Sequence, residues 1–312
     1  MESPSKRDNA KTILGPIGGH DLNAEWACDF LQVHLISDLG KRRQNNEDAC
    51  LLHAPVTEER LRARGLLVAV ADGMGGASAG EYASHKTLES LKKHYFSSTP
   101  LLRIPEALLA AVESANGIVF EEAGRNPDYA GMGTTVSALA IAGDWAYIAQ
   151  VGDSRIYLLR TGHPIKQLTH DHSLVAEQIR NGIINEEEAR NHSLKNLITR
   201  AVGIKDTVEV DLFAVKLEEG DSLLLCSDGL SNMVEDSVIE MFLGGEQLKE
   251  STEALVEKAL EVGGHDNITV VAVRVNAAPP RTPYQQGAKI ISFAPAGLMT
   301  RLREFFRLKG AS

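Results

Sequence analysis

The sequence predicts an α+β fold: one domain of antiparallel sheet with helices packed outside it. Three observations carry this. Short β-rich runs are joined by tight turns such as Gly143-Asp144 and Gly152-Asp153-Ser154, too short for the dozen-residue crossover of a parallel pair. Helical stretches arrive in pairs between blocks of strands. The composition, 43 % hydrophobic and 24 % charged over 312 residues, is that of a chain able to bury a core without disulfides or structural metal.

Residues 1–29 are polar and irregular and read as a leader of low structural content. Strand-like runs follow at Phe30–Ser37, Ala49–His53 and Leu66–Ala71, the last ending in the turn cluster Asp72-Gly73-Met74-Gly75-Gly76. Two helices are expected at about 79–96 and 105–123. In the first, Tyr82, Leu88 and Leu91 share a face away from Lys86, Glu89 and Lys93. Strands return at 133–142, 145–151 and 155–159, and a polar helical segment is expected over 173–190. Further strands at 208–215 and 222–226 precede a helix pair at about 235–243 and 247–262, and the last strand is Ile268–Val275. The domain is thus expected over residues 30–276. Beyond it, 277–295 reads as linker and Leu298–Leu308 as a short basic amphipathic tail, which offers an anionic membrane surface only a weak hold. There is no internal repeat.

Thirty-two basic against 42 acidic residues give a net charge of −10, the wrong sign for nucleic acid as a main partner. No apolar run is long enough to span a bilayer, and the first 29 residues lack the apolar core of a signal peptide. A cytoplasmic, monomeric protein is therefore expected. Cys28, Cys50 and Cys226 are odd in number and widely spaced, with no CxxC, so core thiols are expected and neither a disulfide framework nor a zinc knuckle.

The informative pattern is acidic. Asp48 follows Asn45-Asn46-Glu47, Asp72 ends a strand, Asp153 sits in a hairpin turn, Asp228 follows the strand Leu223–Cys226, and Asp266 precedes the last strand. A carboxylate at a strand end is pinned by the sheet yet points out of it. Such an Asp ordinarily makes an Asx-turn or marks a hairpin, but five beside apolar strands are able to converge. Converging carboxylates raise one another's pKa unless a cation sits among them. Hard oxygen donors without His or Cys suit Mg²⁺ or Mn²⁺.

The residues around these aspartates resemble the motifs of the type 2C metal-dependent protein phosphatases, the PPM family. They are Ser37-Asp38-Leu39-Gly40…Arg43…Asn46-Glu47-Asp48, Val70-Ala71-Asp72-Gly73-Met74-Gly75-Gly76, Gly133-Thr134-Thr135 and Val151-Gly152-Asp153-Ser154-Arg155. Then come Leu168-Thr169…Asp171-His172-Ser173, Thr199-Arg200-Ala201-Val202-Gly203, Ser227-Asp228-Gly229-Leu230 and Asp266-Asn267-Ile268-Thr269. They run in the family's order across roughly residues 30–275. The resemblance implies a central sandwich of two antiparallel sheets flanked by paired helices. It implies hydrolysis of phosphoserine and phosphothreonine in proteins by a metal-activated water, opposing a Ser/Thr kinase. Two Mn²⁺ or Mg²⁺ ions would be held, one by Asp72, the Gly73 carbonyl, Asp228 and Asp266, the other by Asp72, Glu47 and Asp48. Asp153 would serve a third, weaker ion, and Arg43 would grip the substrate phosphate. The segment 171–203 would be a flap beside the site. Many eukaryotic members have a histidine at Met74 to protonate the leaving group. A thioether has no proton to give, so the resemblance is to the bacterial-type branch. The proton donor is left between a metal-held water and His170 or His172.

Other chemistries are excluded. A cysteine-dependent phosphatase needs Arg six residues after its Cys, and here those positions are His34, Val56 and Asn232. HExxH is absent, and Ser78 stands where a dinucleotide motif needs its third glycine. Two alternatives remain: a catalytically silent phosphoprotein-binding scaffold, whose signature would be lost carboxylates, and a phosphatase acting on a small anti-sigma antagonist.

Overall fold

The computed structural model describes residues 11–55, 57–99, 101–190 and 192–293. Its strands are β1 (Lys11–Gly15), β2 (Leu22–Ala27), β3 (Leu31–Asp38), β4 (Asp48–Ala54), β5 (Leu66–Met74), β6 (Gly133–Thr134) and β7 (Val136–Ala142). They continue with β8 (Trp145–Val151), β9 (Arg155–Leu159), β10 (Lys166–Gln167), β11 (Asp211–Lys216), β12 (Ser222–Cys226), β13 (Ile268–Val275) and β14 (Lys289–Ile291). The helices are α1 (Glu58–Arg64), α2 (Ala77–Ser97), α3 (Ile104–Arg125), α4 (Leu174–Arg180), α5 (Glu186–Arg190), α6 (Asp228–Ser231), α7 (Asp236–Leu243) and α8 (Leu248–Val262).

The first sheet has the order β1-β4-β5-β7-β8-β11-β14, with β6 also on β5; the second has the order β10-β9-β12-β13-β3-β2. All pairs are antiparallel except β11 with β14. The expected α+β class and two-sheet sandwich are what the structure shows.

Both faces of each sheet are covered, so alternate residues of one strand enter different cores. On β5, Leu66, Val68 and Val70 face the inter-sheet core with Leu223, Leu225, Val271 and Val273 from the second sheet. Leu67, Ala69 and Ala71 face the opposite way, against Leu88, Leu91 and Leu108 of α2 and α3. On β12, Leu224 and Cys226 pack outward with Ile239, Leu243 and Leu255 of α7 and α8. This double burial is why the strands read as nearly continuous apolar runs. Cys50 and Cys226 are buried free thiols, Cys28 a half-buried one.

The chain ends depart from expectation. The leader assigned to residues 1–29 contains β1 and β2, one in each sheet. β1 pairs with β4, with Ile13 and Leu14 on the two cores it separates. β2 pairs with β3 and turns Leu22 and Trp26 inward. The connecting turn crosses the end of the sandwich, where Asn46 N–H donates to the Gly19 carbonyl at 3.3 Å and Gly19 N–H to Glu81 Oε1 at 3.1 Å. The linker assigned to 277–295 contains β14, parallel to β11, and Tyr284, whose ring lies 4.8 Å from that of Trp145. The helix expected over 173–190 is two helices, α4 and α5, because α4 stops at Asn181-Gly182, where Gly182 takes φ 68°. β11 begins at Asp211, later than the expected 208. The basic stretch Leu298–Leu308 lies outside the described residues.

Candidate active site: an acidic cleft at one end of the sandwich

The five strand-end aspartates meet. Asp48 starts β4 and Asp72 lies on β5, directly across the ladder from it. Asp153 joins β8 to β9, Asp228 follows β12 and opens α6, and Asp266 precedes β13. Because neighbouring strands run antiparallel, these starts and ends fall at the same end of the molecule. A cleft of about 270 Å³ opens there, lined by Arg43, Glu47, Asp72, Gly73, Asp153, Asp228 and Asp266. Asp48 lies below it, 1 % exposed, its Oδ2 accepting from the Ser227 hydroxyl at 2.8 Å. Met74, Gly75, Gly76, Asn196 and Ile198 complete the wall.

Local bonding holds the carboxylates where they are. Asp72 N–H donates to Thr135 Oγ1 at 2.9 Å and its carbonyl accepts from Thr134 Oγ1 at 2.8 Å. The Asn267 carboxamide is used three times: Glu47 N–H donates to its Oδ1 at 2.9 Å, and its Nδ2 donates to the Leu39 and Asn45 carbonyls. It thereby fastens the segment carrying Arg43 and Glu47 to the segment carrying Asp266. Gly73 passes so close to its neighbours that a Cβ would lie 2.2 Å from the Gly80 carbonyl and 2.5 Å from that of Glu47, a spacing only glycine allows.

The electrostatics follow from burial and crowding. Asp72 is pushed well above the ordinary carboxylate range, by burial first and then by the charges of Asp48, Asp228, Asp153 and Asp266. Burial is also the main cause at Asp48, raised to about 7, at Asp153, raised to about 8, and at Asp228, raised to about 6. Glu47 is raised by burial against the pull of Arg43. The positive charge lining the cleft is Arg43, whose Nη2 donates to Asp266 Oδ2 at 2.8 Å while Nη1 stands 3.9 Å from Glu47 Oε1. One guanidinium faces five carboxyl groups in the lining, with Asp48 beneath them.

Such a site fits a hard divalent cation. The buried Asp153 Oδ1 has no hydrogen-bond partner, an orphan that normally marks a missing ion or water. The lining offers carboxylates and backbone but no imidazole or thiol, a donor set for Mg²⁺ or Mn²⁺ and not zinc. Among the described residues no three such side chains close into a finished cage.

All seven sequence-predicted ligands and Arg43 are therefore brought together. The two histidine candidates for proton donor are not. His170 packs edge-on against Phe213, ring centroids 5.7 Å apart. His172 is 2 % exposed, and both its ring nitrogens face partners, Gly152 N–H and Asp211. Burial lowers its pKa although Asp211 opposes this. The supports Thr135, Ser227 and Asn267 were not singled out by sequence reasoning, though each stands inside a motif beside a chosen aspartate. The wall residues Asn196 and Ile198 belong to the 171–203 segment, whose root is the bridge between Ser173 and Ile198.

Comparison with known proteins agrees with this geometry. A family model described as protein phosphatase 2C matches residues 40–262. The chain is 42 % identical to the serine/threonine phosphatase stp of Listeria monocytogenes over 241 residues, 76 % of this chain and 93 % of that one. A crystal structure of the Mycobacterium tuberculosis serine/threonine phosphatase PstP/Ppp superposes with a TM-score of 0.70 at 38 % identity, covering 80 % of this chain and 100 % of that one. A structure described as the catalytic domain of PstP in complex with two manganese ions superposes with a TM-score of 0.68 at 38 % identity, over 79 % and 98 %.

Proposed function

The chain belongs to the protein phosphatase 2C family as a metal-dependent protein serine/threonine phosphatase, and from that premise we propose how its acidic cleft performs the reaction. The observation that supports the assignment most is the crowding of Asp48, Asp72, Asp153 and Asp228, four carboxylates from separate segments whose burial and mutual repulsion raise every one of their pKa values. Such crowding is relieved by protons at low pH and by a cation where the carboxylates are ionised.

Asp72, the Gly73 carbonyl, Asp228 and Asp266 would hold one Mn²⁺ or Mg²⁺, and Asp72, Glu47 and Asp48 a second; two ions are in keeping with the structural relative described in complex with two manganese ions. Asp153 serves a third, weaker ion. When bound, the ions offset the charge of the phosphoryl dianion and activate the water that attacks it. Arg43, its side chain 44 % exposed at the cleft mouth, presents a planar fork to two phosphate oxygens. Its bond to Asp266 aims the fork and leaves donors free. Ser227 and Asn267 keep Asp48 and the Arg43 segment from relaxing apart as substrate enters. Among the described residues the cleft lining contains no histidine, and the leaving alkoxide takes its proton from water. The 171–203 flap, through Asn196 and Ile198, screens what reaches the cleft, and the phosphoproteins so admitted are those modified by a Ser/Thr kinase.

Hydrolysis of p-nitrophenyl phosphate and of a phosphothreonine peptide tests this, run with Mn²⁺, with Mg²⁺ and with EDTA. Turnover should require metal and fall at least about a thousandfold in Asp228→Ala, of the order expected when a group that stabilises the transition state is removed. Turnover persisting in EDTA, or unaffected by Asp228→Ala in a folded protein, contradicts the assignment.

A further inference from the structure

His172 does not line the cleft, yet it is bound to the turn that carries Asp153. That turn depends on Gly152, which takes φ 102° and where a Cβ would lie 2.5 Å from the Thr135 side chain. The Gly152 N–H donates to His172 Nδ1 at 3.1 Å. The Gly152 carbonyl accepts the His172 backbone N–H at 3.0 Å and the Gln150 carboxamide at 3.2 Å. His172 therefore holds the turn by a reciprocal pair of bonds, one from its backbone and one from its ring.

The ring bond fixes the tautomer. A nitrogen that accepts from an N–H carries no proton, so the neutral ring carries its proton on Nε2, which faces Asp211 Oδ2 at 3.2 Å and has Arg200 Nη1 3.4 Å away, the carboxylate being the shorter contact. Asp211 is in turn held through its other oxygen by Arg200 Nη1 at 3.2 Å. The same histidine takes part in the flap root, its carbonyl accepting the Thr199 N–H at 2.8 Å.

We propose that His172 is a positioning residue for the Gly152–Asp153 turn: its imidazole, oriented by Asp211, accepts the Gly152 N–H through a bare Nδ1 and so presents the Asp153 carboxylate to the cleft. The inference rests on the reading of Asp153 as the ligand of the weaker ion. Asp153 Oδ1 is buried without a protein partner, so no hydrogen bond of its own fixes that oxygen, and the turn beneath it sets where it points. His172 acts on metal binding through the backbone, without touching the metal.

The amide analogues separate positioning from filling space. Asparagine places a carboxamide oxygen near Nδ1 and keeps the acceptor for Gly152. Glutamine places its amide near Nε2, keeps the contact with Asp211 and loses that acceptor. Calorimetric titration of the metal-free full-length protein with Mn²⁺ would be compared for wild type, His172→Asn, His172→Gln and Asp153→Asn. The Mn²⁺ concentration giving half-maximal hydrolysis of p-nitrophenyl phosphate would be measured alongside. His172→Gln should weaken the weakest Mn²⁺-binding event by ten- to hundredfold, the usual effect of removing a group that orients a ligand. It should raise the half-activating Mn²⁺ concentration in step, with KM within about twofold and the tighter sites unchanged. His172→Asn should stay within about threefold of wild type. Equal weakening in both variants, or wild-type binding in both, overturns the proposal. If Asp153→Asn itself binds Mn²⁺ as wild type does, the ligand reading fails and the proposal with it. Loss in Asp153→Asn beside normal binding in His172→Gln overturns the positioning role alone. Should the histidine variants fail to fold, Asp211→Ala, at a half-buried position, frees the ring. It should weaken the same binding event severalfold, and unchanged binding there contradicts the proposal.

Discussion

Arg43 is the residue whose contribution separates most cleanly from that of the metals, because it touches the carboxylates from outside the crowded centre. Its removal takes away a charged hydrogen-bonding fork, an interaction of about 1.5–3 kcal/mol, without removing a ligand. Arg43→Ala should therefore raise KM for p-nitrophenyl phosphate by roughly ten- to a hundredfold and change kcat less, since binding lost equally in ground and transition states appears in KM. Arg43→Lys, with charge but no fork, should fall between. Steady-state kinetics at saturating Mn²⁺ would check this, and a loss confined to kcat would contradict it. At this scale the sequence was most legible. An Asp beside an apolar strand announces both its position and its direction, and five of them in order announce a cleft. Ser227, Thr135 and Asn267 were less visible because their work is hydrogen bonding across long sequence separation. Glu47 N–H meets Asn267 Oδ1 over 220 positions, and nothing local in either segment signals it. The histidines misled for the converse reason: proximity to a motif says nothing about which way a ring faces.

Among the elements, β8, β9, β12 and β13 matched their expected bounds, β5 and β11 were shifted by three residues at one end, and the chain ends departed most. β8, β9, β12 and β13 carry apolar residues at nearly every position because helices cover one face and a second sheet the other. β2 alternates as Leu22-Asn23-Ala24-Glu25-Trp26, with the apolar members turned inward. Its period of two was present in the sequence, masked by the polar residues around it. β1 and β14 are short edge strands whose stability comes from partners far along the chain, so their five and three residues carried no recognisable pattern. β14 yields a test. Truncation after Asn276 removes its pairing with β11, the Tyr284 ring from Trp145, and the Gln285 side chain that accepts the Ile104 N–H at 2.6 Å. Losing an aromatic pair and several hydrogen bonds should lower Tm by roughly 5–10 °C for a domain of this size. The carboxylate cleft is built from other segments, so metal-dependent turnover at 25 °C should remain within about threefold. Thermal denaturation and p-nitrophenyl phosphate kinetics on the truncated chain would show it. A truncated protein equally stable, or stable but inactive, would contradict this division of labour.

For the molecule as a whole, the acidic cleft sets how stability depends on pH without metal. Asp228, Asp48 and Asp153 have folded-state pKa values of about 6, 7 and 8, against roughly 4 for an unfolded aspartate. Between about pH 4 and pH 8 the folded protein thus holds protons that the unfolded chain has released, so these groups make stability fall as pH rises through that window. In EDTA, Tm should be lower at pH 8 than at pH 5.5, and Mn²⁺ should raise it most at pH 8, where protons compete least for the carboxylates. The slope should flatten in the Asp72→Asn, Asp228→Asn double variant, which removes two of the repelling charges. A Tm in EDTA that is flat or rises with pH, by calorimetry across the range, would show that the carboxylates do not repel as their burial requires. The net charge of −10 named no partner; its significance lies in the share of it gathered at one end of the sandwich.

The most direct measurement of the central claim is anomalous diffraction at the manganese edge from crystals of the active protein grown with Mn²⁺. Two strong peaks are predicted in the cleft, one among Asp72, the Gly73 carbonyl, Asp228 and Asp266, the other beside Asp72, Glu47 and Asp48, with a weaker third near Asp153. Peaks confined to other parts of the surface, in crystals whose dissolved protein still hydrolyses phosphate esters, would contradict the claim that these carboxylates are the metal centre of the reaction.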